Sequence, residues 1–375
     1  MPESRSVPAH DVGPAAPADA GREAPGGKGG VTVVIPTFNR ARDVERALAN
    51  LRAQPQGPDR VIVVDNSSTD GTAEMIAALR ASADWMGRLH YVRKPPEGPA
   101  SARNLGLAAA TTEYVLFQDS DVELAPGWIG LARDRLEADP ALAAVGGHIL
   151  YAFDPGRINA YGGDLGWFGL AWDVDEGAPY DRARAAADRV WINCSAMLVR
   201  REAALDARGF DEAFFYGYED TDLGCRLRIL GHGVRVVPEL VALHHVEAAP
   251  GPAHPDIVFH GCKNRLRMLL RNTGALRLPA TLAACIGYGL IDLLLHAPRG
   301  ARWRALVWNL RNLPATWALR RELQGRRVCS DAEVFAASSG RWFPPSRLRG
   351  LRRRAIAAGP GGSGAERVAQ ADDRV

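Results

Sequence analysis

The chain is 375 residues long, 47% hydrophobic and 24% charged, which is enough to bury a core and excludes a fully disordered or collagen-like protein. Five widely spaced cysteines without a C-x-x-C pair argue against a disulfide scaffold or a cysteine zinc site and favour reduced thiols in the cytoplasm. The net charge of +3 conceals an asymmetry, because residues 1–256 carry 25 Lys and Arg against 36 Asp and Glu, whereas residues 257–354 carry 19 against 4. The basic segment is therefore expected to meet something anionic.

The predicted elements begin after a leader rich in Pro, Gly and Ala. Residues 1–29 contain no apolar run, which predicts a disordered segment rather than a signal peptide. Short apolar runs typical of buried strands then alternate with segments of helical spacing. The predicted strands are Val31–Ile35 (stopped by Pro36), Arg60–Val64, Leu89–Val92 and Tyr114–Phe117, and the predicted helices are Asp43–Ala53, Thr72–Ala81 and Ser101–Ala110. This alternation predicts a parallel α/β sheet.

The later part of the chain departs from that alternation. Residues 145–200 are rich in Gly and Trp, which favours loops and antiparallel strands. Residues 211–231 predict a loop leading into a helix, and residues 234–243 predict a strand. Residues 257–323 have the composition of basic, apolar helices, and from about Gly359 the chain returns to the composition of the leader.

Polar residues cluster where the predicted strands end, which is where ligands bind in parallel α/β sheets. Gln118-Asp119-Ser120-Asp121 is the most informative segment, because two carboxylates at i and i+2 after an apolar strand can share a divalent cation. Hard oxygen ligands suit Mg²⁺ or Mn²⁺, and such an ion would neutralise a diphosphate. Taken alone the pattern is weak, since a solvated turn after a strand explains most such pairs.

The sequence around this segment strengthens the metal interpretation. Related blocks occur in one order along the chain, at Val31–Arg40, Val61–Thr72, Gly98–Gly106, Phe117–Asp121, Gly209–Glu212, Gly217–Leu223 and Pro238–His244. Together they resemble the inverting family 2 glycosyltransferases of the GT-A fold, with a rhamnosyltransferase-like subgroup suggested by residues 209–230. The resemblance implies an α/β GT-A domain with a mostly parallel sheet over residues 30–250, a helical basic extension over 251–350 and a loose tail over 351–375.

The resemblance also implies roles for individual residues. The nucleotide-sugar would be bound by Pro36, Thr37, Asn39, Asp65, Arg103 and Asp119. The metal, Mg²⁺ or Mn²⁺, would be held by Asp121 with Asp119 and His244, and His245 is the adjacent alternative to His244. Structural explanations compete at each position: a turn or helix cap at Asp65, a salt bridge at Arg103, and a structural imidazole at His244.

Glu219-Asp220 matches the acidic pair that precedes the acceptor-side helix in this family. An inverting transfer needs a base that deprotonates the acceptor hydroxyl, and the resemblance makes Asp220 the first candidate and Glu219 the second. Acids that favour the positive end of a helix dipole are the competing explanation. Asp222 is expected to cap the helix or pair with Arg226 at i+4. Sugar stacking by Trp167, Trp172, Trp191 or Tyr216 is a minor expectation, because most aromatic residues are core.

The basic helical extension contains a mostly apolar segment from Leu278 to Ala297. Its length just suffices to span a bilayer, but Asp292 would be costly inside one. Interleaved Trp and Arg after it favour a helix that lies on an anionic membrane surface, with packing on the catalytic domain and spanning as the alternatives. No nucleic-acid motif is present.

The resemblance implies a glycosyltransferase that uses a nucleotide-diphospho-sugar and a glycan or lipid-linked acceptor. Together with the basic helical extension, it leads us to expect a cytoplasmic protein, peripheral at the inner face of the membrane. The alternatives are a nucleotidyltransferase with a similar sheet and a non-catalytic sugar- or membrane-binding module. A dinucleotide-binding oxidoreductase is disfavoured, because the first strand leads into Pro-Thr-Phe-Asn rather than G-x-G-x-x-G. The donor sugar, the base and the acceptor are left open.

Overall fold

The computed structural model describes residues 29–246, 254–341 and 343–344. The predicted leader, apart from Gly29, lies outside the described residues, as do the predicted tail and the predicted domain boundary near residue 250. The described part is a mixed α/β structure with one large sheet, followed by a group of helices.

The strands in chain order are β1 (Val31–Thr37), β2 (Arg60–Asp65), β3 (Leu89–Arg93), β4 (Tyr114–Gln118), β5 (Val122–Leu124), β6 (Leu142–Tyr151), β7 (Asp154–Ala160), β8 (Gly163–Leu165), β9 (Ala171–Asp173), β10 (Ala187–Asp188), β11 (Ala196–Arg200) and β12 (Gly233–His244). The helices are α1 (Ala41–Arg52), α2 (Thr72–Arg80), α3 (Pro99–Ala109), α4 (Trp128–Ala138), α5 (Arg201–Asp206), α6 (Glu219–Ile229), α7 (Pro255–Asn272), α8 (Leu278–Leu295), α9 (Arg299–Arg311), α10 (Leu313–Gly325) and α11 (Asp331–Phe335). A 3₁₀ turn, Glu212–Phe214, precedes α6.

The large sheet confirms the predicted α/β class. Its strand order is β10-β12-β6-β11-β4-β1-β2-β3, and β5 and β7 add to it beside β12 and β6. Strands β1 to β4 run parallel, as do β6 and β12, while β11 is antiparallel to both of its neighbours. The small β8–β9 hairpin is antiparallel as well, so the expected change of pattern after residue 145 is also confirmed.

The expectation that Pro36 ends the first strand is wrong. Strand β1 continues to Thr37, with Pro36 opposite Val64 of β2. The pairing of β1 with β4 ends at Val34. Beyond that residue β1 has a neighbour on one side only, and the missing N–H of a proline is tolerated at such an edge.

Both faces of the sheet are covered, which explains the continuous apolar strands. On β1, Val31, Val33 and Ile35 pack with α1 and α4, whereas Val34 packs on the opposite face with α3 and α5. Helix α3 can lie close to β1 because Gly106 has no side chain. A Cβ at this position would lie 2.3 Å from a methyl group of Val34. The small residues of α3 thus bring Arg103 close to the end of the sheet.

The C-terminal helices are joined to the sheet domain by buried ion pairs. Arg267 Nε donates to Asp211 Oδ2 at 2.8 Å, and Arg271 Nη1 lies 3.3 Å from the same oxygen and 3.5 Å from Asp222 Oδ2. Asp222 also pairs with Arg226 at 2.7 Å, as the i, i+4 spacing predicts. Part of the positive charge of the extension is therefore neutralised inside the protein, and that part is not available to an external partner.

Helix α8 has a different environment. Among the described residues it is the one helix long and apolar enough to cross a membrane, with a mean hydropathy of 1.8, yet only 11% of it is buried. Asp292 is not isolated on it, since its carboxylate receives Arg302 Nε at 2.5 Å and lies 3.0 Å from His296 Nδ1. The apolar surface of α8 faces outward while its acid is paired with α9.

Candidate active site

The loops after β1 and β2 are tied together at the carboxyl end of the sheet. Asn39 adopts a positive φ of 53°. Its N–H donates to Ser68 Oγ at 2.8 Å, and its Oδ1 accepts the N–H of Thr69 at 2.8 Å. Pro36 and Thr37 are buried directly before it. The predicted nucleotide residues of the first block therefore lie beside those of the second.

Asp65 lies at the end of β2 and is fully buried. Its Oδ1 accepts the N–H of Ser68 at 2.9 Å, and its Oδ2 accepts the hydroxyl of Tyr91 at 2.6 Å. Burial and this bond raise the pKa of Tyr91, so the phenol keeps its proton as a donor. Asp65 thus makes the contacts expected of a residue that caps a turn. Its predicted hydrogen bond to the nucleotide base would use one of its remaining lone pairs.

Asp121 and His244 come together at the same end of the sheet. The Oδ1 of Asp121 is 3.4 Å from His244 Nε2, and its Oδ2 accepts Arg40 Nη1 at 3.0 Å. Burial opposes ionisation of Asp121, but His244 and Arg40 outweigh it and lower the pKa of the carboxyl. His245 points elsewhere, with its Nε2 2.6 Å from Glu123. Of the two histidines, His244 is the one that the fold places against Asp121.

The partners of His244 suit a metal ligand. Its Nδ1 lies 2.8 Å from Asn159 Oδ1, and its Nε2 faces Asp121. Burial lowers the pKa of His244, but the bond to Asp121 and the charge of that carboxylate outweigh burial and raise it. A cation that replaces the Nε2 proton would be shared by His244 and Asp121. Among the described residues no group of three His, Cys, Asp or Glu side chains is arranged to hold a metal ion. A carboxylate and an imidazole are nevertheless a fitting partial set for Mn²⁺ or Mg²⁺, which commonly complete their coordination with water and substrate phosphates.

Arg103 connects the carboxylates after β4 to the start of α6. Its Nη2 donates to Asp119 Oδ1 at 2.7 Å and its Nη1 to Glu219 Oε1 at 3.1 Å. Burial would lower the pKa of this 4% exposed guanidinium, but Asp119 and Glu219 help to raise it instead. Its face lies over the ring of Phe210, 5.7 Å from the centroid. The group is a fixed cation between two predicted site acids.

Asp220 follows Glu219 at the start of α6, in an environment that disfavours its charged form. Burial, followed by the charges of Glu219 and Asp173, raises the pKa of Asp220 to about 8. Its Oδ1 accepts the N–H of Thr221 at 2.7 Å. A carboxyl that exchanges its proton near neutral pH is suited to general base catalysis.

The loop ahead of α6 is held by a residue of the C-terminal helices. Asn264 of α7 is fully buried, and its amide donates to the carbonyls of Phe214, Tyr216 and Gly217 at 2.9, 2.9 and 2.7 Å. Phe215 and Tyr218 in this loop have positive φ values of 57° and 72°. Such backbone conformations persist only where surrounding contacts enforce them, so α7 positions the segment that carries Glu219 and Asp220.

The aromatic residues divide between core and surface. Trp172 and Trp191 are buried, and the indole N–H of Trp191 donates to Asp164 O at 3.1 Å. Trp167 and Tyr216 are 44% and 52% exposed. Cys194 and Cys225 are buried, and burial raises the pKa of both thiols, as expected of small core residues.

Four further residues that influence the predicted site residues are not among those predicted from the sequence. Arg40 follows the Pro-Thr-Phe-Asn segment and could have been noted there, since it is a charge at a strand end. Asn159, Asp173 and Asn264 have no local signal, because each lies far along the chain from the group it contacts.

The chain is similar in sequence and in fold to known glycosyltransferases. Residues 32–207 match the family model for glycosyl transferase family 2. A pre-mycofactocin glycosyltransferase of Mycobacterium tuberculosis is 33% identical over 220 residues, covering 57% of this chain but only 42% of that protein. The N-acetylglucosaminyl-diphospho-decaprenol L-rhamnosyltransferase of the same organism is 28% identical over 249 residues, 58% of this chain and 77% of that protein. The crystal structure of GalNAc-T7 with UDP, GalNAc and Mn²⁺ has the same fold, with a TM-score of 0.53, 16% identity, and coverage of 64% of this chain and 48% of that one.

Proposed function

We propose that this chain, whose residues 32–207 match the model for glycosyl transferase family 2, transfers a sugar from a nucleotide-diphospho-sugar to an acceptor hydroxyl with inversion at the anomeric carbon. One observation carries this proposal: Asp220, whose pKa is raised to about 8, lies at the head of α6, and the pair Arg103–Glu219 links that helix to the carboxylates after β4. The start of α6, which carries Asp220, and the carboxylates after β4 are thus joined through Arg103, which supports placing the base and the donor on its two sides.

The proposed reaction is a direct displacement. Asp220 accepts the proton of the acceptor hydroxyl, and the oxygen attacks the anomeric carbon opposite the leaving group. The new bond joins the acceptor oxygen to that carbon, and the bond from carbon to the diphosphate oxygen breaks. The second base candidate, Glu219, is less suited because its Oε1 already accepts Arg103 at 3.1 Å. Asp173 contributes a negative charge that keeps the Asp220 proton exchangeable.

The donor is proposed to bind at the tied loops after β1 and β2, with Pro36, Thr37, Asn39 and Asp65 around the nucleoside. Arg103, together with Asp119, would orient the ribose and diphosphate. A guanidinium offers two parallel donors to phosphate oxygens, and in the free protein these donors are bonded to carboxylates. Donor binding is thus expected to redistribute the bonds of Arg103.

A divalent cation, Mg²⁺ or Mn²⁺, is proposed to be held by Asp121 and His244, with Asp119 near enough in sequence to join through water. When bound, such an ion neutralises charge on the diphosphate and makes it a better leaving group. Arg40 holds the second oxygen of Asp121, which leaves that carboxylate one oxygen toward His244. Asn159 orients the imidazole through its contact with Nδ1, and Nε2 would bind the ion after losing its proton.

The acceptor is proposed to be a glycan or a lipid-linked sugar, presented at the inner face of a membrane to which the C-terminal helices bind. On α8, Ile291, Leu294 and Leu295 are 57%, 68% and 69% exposed, and Trp303 on α9 is 56% exposed. Exposed Arg299 and Arg304 lie among them. Apolar side chains flanked by arginine and tryptophan are typical of an interfacial helix on anionic lipid. The likeness to a rhamnosyltransferase supports a deoxyhexose donor as the first to test.

The experiment is a thermal-shift and turnover assay of nucleotide-sugars with and without Mn²⁺, on the wild-type protein, Asp121→Ala and a control, Asp134→Asn. Asp134 is an exposed acid on α4 that contacts Arg133. We expect a nucleoside diphosphate to stabilise the wild type more strongly with Mn²⁺, because a ligand bound only to the folded state raises the free energy of unfolding. Asp121→Ala should lose the Mn²⁺-dependent part and the turnover, and Asp134→Asn should keep both. Wild-type behaviour of Asp121→Ala would contradict the proposal.

A further inference from the structure

A second cavity lies away from the catalytic acids, between the β8–β9 hairpin and the C-terminal helices. Its volume is about 250 Å³, and its walls come from the hairpin turn, the start of α8 and the segment around α11. A liquid water molecule occupies about 30 Å³, so the space is large enough for a small ligand or a ligand head group.

Arg277 is the charged residue of this cavity. Its guanidinium carbon lies 4.2 Å from the ring centroid of Trp167 and 4.9 Å from that of Phe335. Two aromatic rings therefore hold the planar group in place. Among the described residues Arg277 has no carboxylate partner and donates no hydrogen bond, in contrast with Arg267 and Arg271, which pair with buried acids.

The remaining walls suit an anion with an apolar part. No Asp or Glu lines the described cavity, whereas the hydroxyl residues Thr273 and Thr281 do. Ser338 also lines it, but its hydroxyl donates to Leu165 O at 3.0 Å. Leu165 and Ala336 supply apolar surface. An oriented guanidinium with unused donors, beside hydroxyls and without a competing carboxylate, is complementary to a planar or tetrahedral oxyanion.

We propose that this cavity is a binding site for a small organic oxyanion, a carboxylate or a phosphate ester whose apolar portion lies between the cavity walls. The site does not depend on the proposed transferase reaction, since none of its lining residues belongs to the catalytic set. Trp167 lies in the turn of the hairpin, and Asp173, whose charge helps to raise the pKa of Asp220, lies at the other end of the same hairpin. An occupant that touches Trp167 thus touches the hairpin that carries Asp173.

The test is calorimetric titration of the full chain at constant ionic strength with phenyl phosphate, benzoate and, as the uncharged counterpart, benzyl alcohol. The variants are Arg277→Gln and a matched control, Arg135→Gln, which removes an exposed arginine on α4 that pairs with Glu239 at 2.9 Å. We expect saturable binding of one or both anions but not of the alcohol, weakened by about tenfold or more in Arg277→Gln because a charge-assisted bond is lost. The anion that binds more tightly identifies the carboxylate or the phosphate source.

Binding of the same anions in the acidic catalytic cleft would survive in Arg277→Gln, so the lost component belongs to the cavity. Trp167→Leu provides a second variant, because this 44% exposed ring can be removed without opening the core; it should weaken the same component. Equal binding by the wild type and Arg277→Gln, or the absence of saturable anion binding by a folded wild type, would overturn the proposal.

Discussion

The buried pair Asp222–Arg226 provides a quantitative test of how the C-terminal helices are joined to the sheet domain. Both side chains are fully inaccessible, and Asp222 also accepts Asn272 Nδ2 at 2.9 Å and lies 3.5 Å from Arg271 Nη1. Asp222→Asn keeps the shape but leaves the buried arginines without this charge. Removing one partner of such a pair costs about 3–5 kcal/mol. That is a large part of the roughly 5–15 kcal/mol by which folded domains are stable.

The assay is thermal and urea unfolding of Asp222→Asn beside Asp206→Asn. Asp206 also pairs with an arginine, Arg326, at 2.6 Å, but the two side chains are 55% and 36% exposed. Exposed pairs contribute about 0–1 kcal/mol, so the control should unfold almost as the wild type does. Asp222→Asn should lower the midpoint by roughly 6 °C or more, with the sheet and the helices unfolding together. Equal midpoints for the two variants would refute the reasoning about the buried network.

Two further outcomes follow from the C-terminal helices. Asn264→Asp replaces the amide that donates to three loop carbonyls with a group that only accepts. We expect kcat to fall by about tenfold or more, while the KM for the nucleotide-sugar stays near its wild-type value. An equal fall in nucleotide-sugar affinity, or no fall in kcat, would contradict the positioning role of Asn264. Replacing Leu294 and Leu295 with Gln should weaken binding to phosphatidylglycerol vesicles by about a hundredfold or more, because each leucine loses about 1.5–3 kcal/mol of burial in lipid and about 1.4 kcal/mol corresponds to a tenfold change. Vesicle sedimentation measures this binding. Val328→Gln, which changes an apolar residue 73% exposed but outside α8, is the control, and equal effects of both changes would argue against a membrane-binding face.

The fold could be predicted from the sequence where the signal is local. Apolar runs and helical spacing located the elements of the first half to within a few residues, because both faces of those strands are buried. The continuation of β1 through Pro36 could not be predicted from the local sequence. Whether a proline ends a strand depends on whether the strand has a second neighbour at that residue, which is a property of the whole sheet. The pairing of Asp222 with Arg226 was predictable because the two residues are one helical turn apart.

The candidate site was predictable only in part. Asp119, Asp121, Arg103 and His244 lie in recognisable blocks, and the fold brings them to one end of the sheet. Asn159, which contacts His244, and Asp173, which helps to raise the pKa of Asp220, come from distant segments whose sequences show no pattern. The charge asymmetry was informative but incomplete, because composition does not reveal that Arg267 and Arg271 are paired internally with Asp211.

The most direct test of the central claim is the pH dependence of kcat/KM for sugar transfer, from about pH 6 to about pH 9. Asp220 acts when it is ionised, and its folded pKa is raised to about 8, so wild-type activity should rise with pH and level off above that value. Asp220→Asn should retain nucleotide binding but lose about 10²- to 10⁴-fold in rate, together with this pH dependence. An Asp220→Asn variant that transfers sugar at the wild-type rate, with the same rise in activity toward alkaline pH, would contradict the assignment of Asp220 as the base.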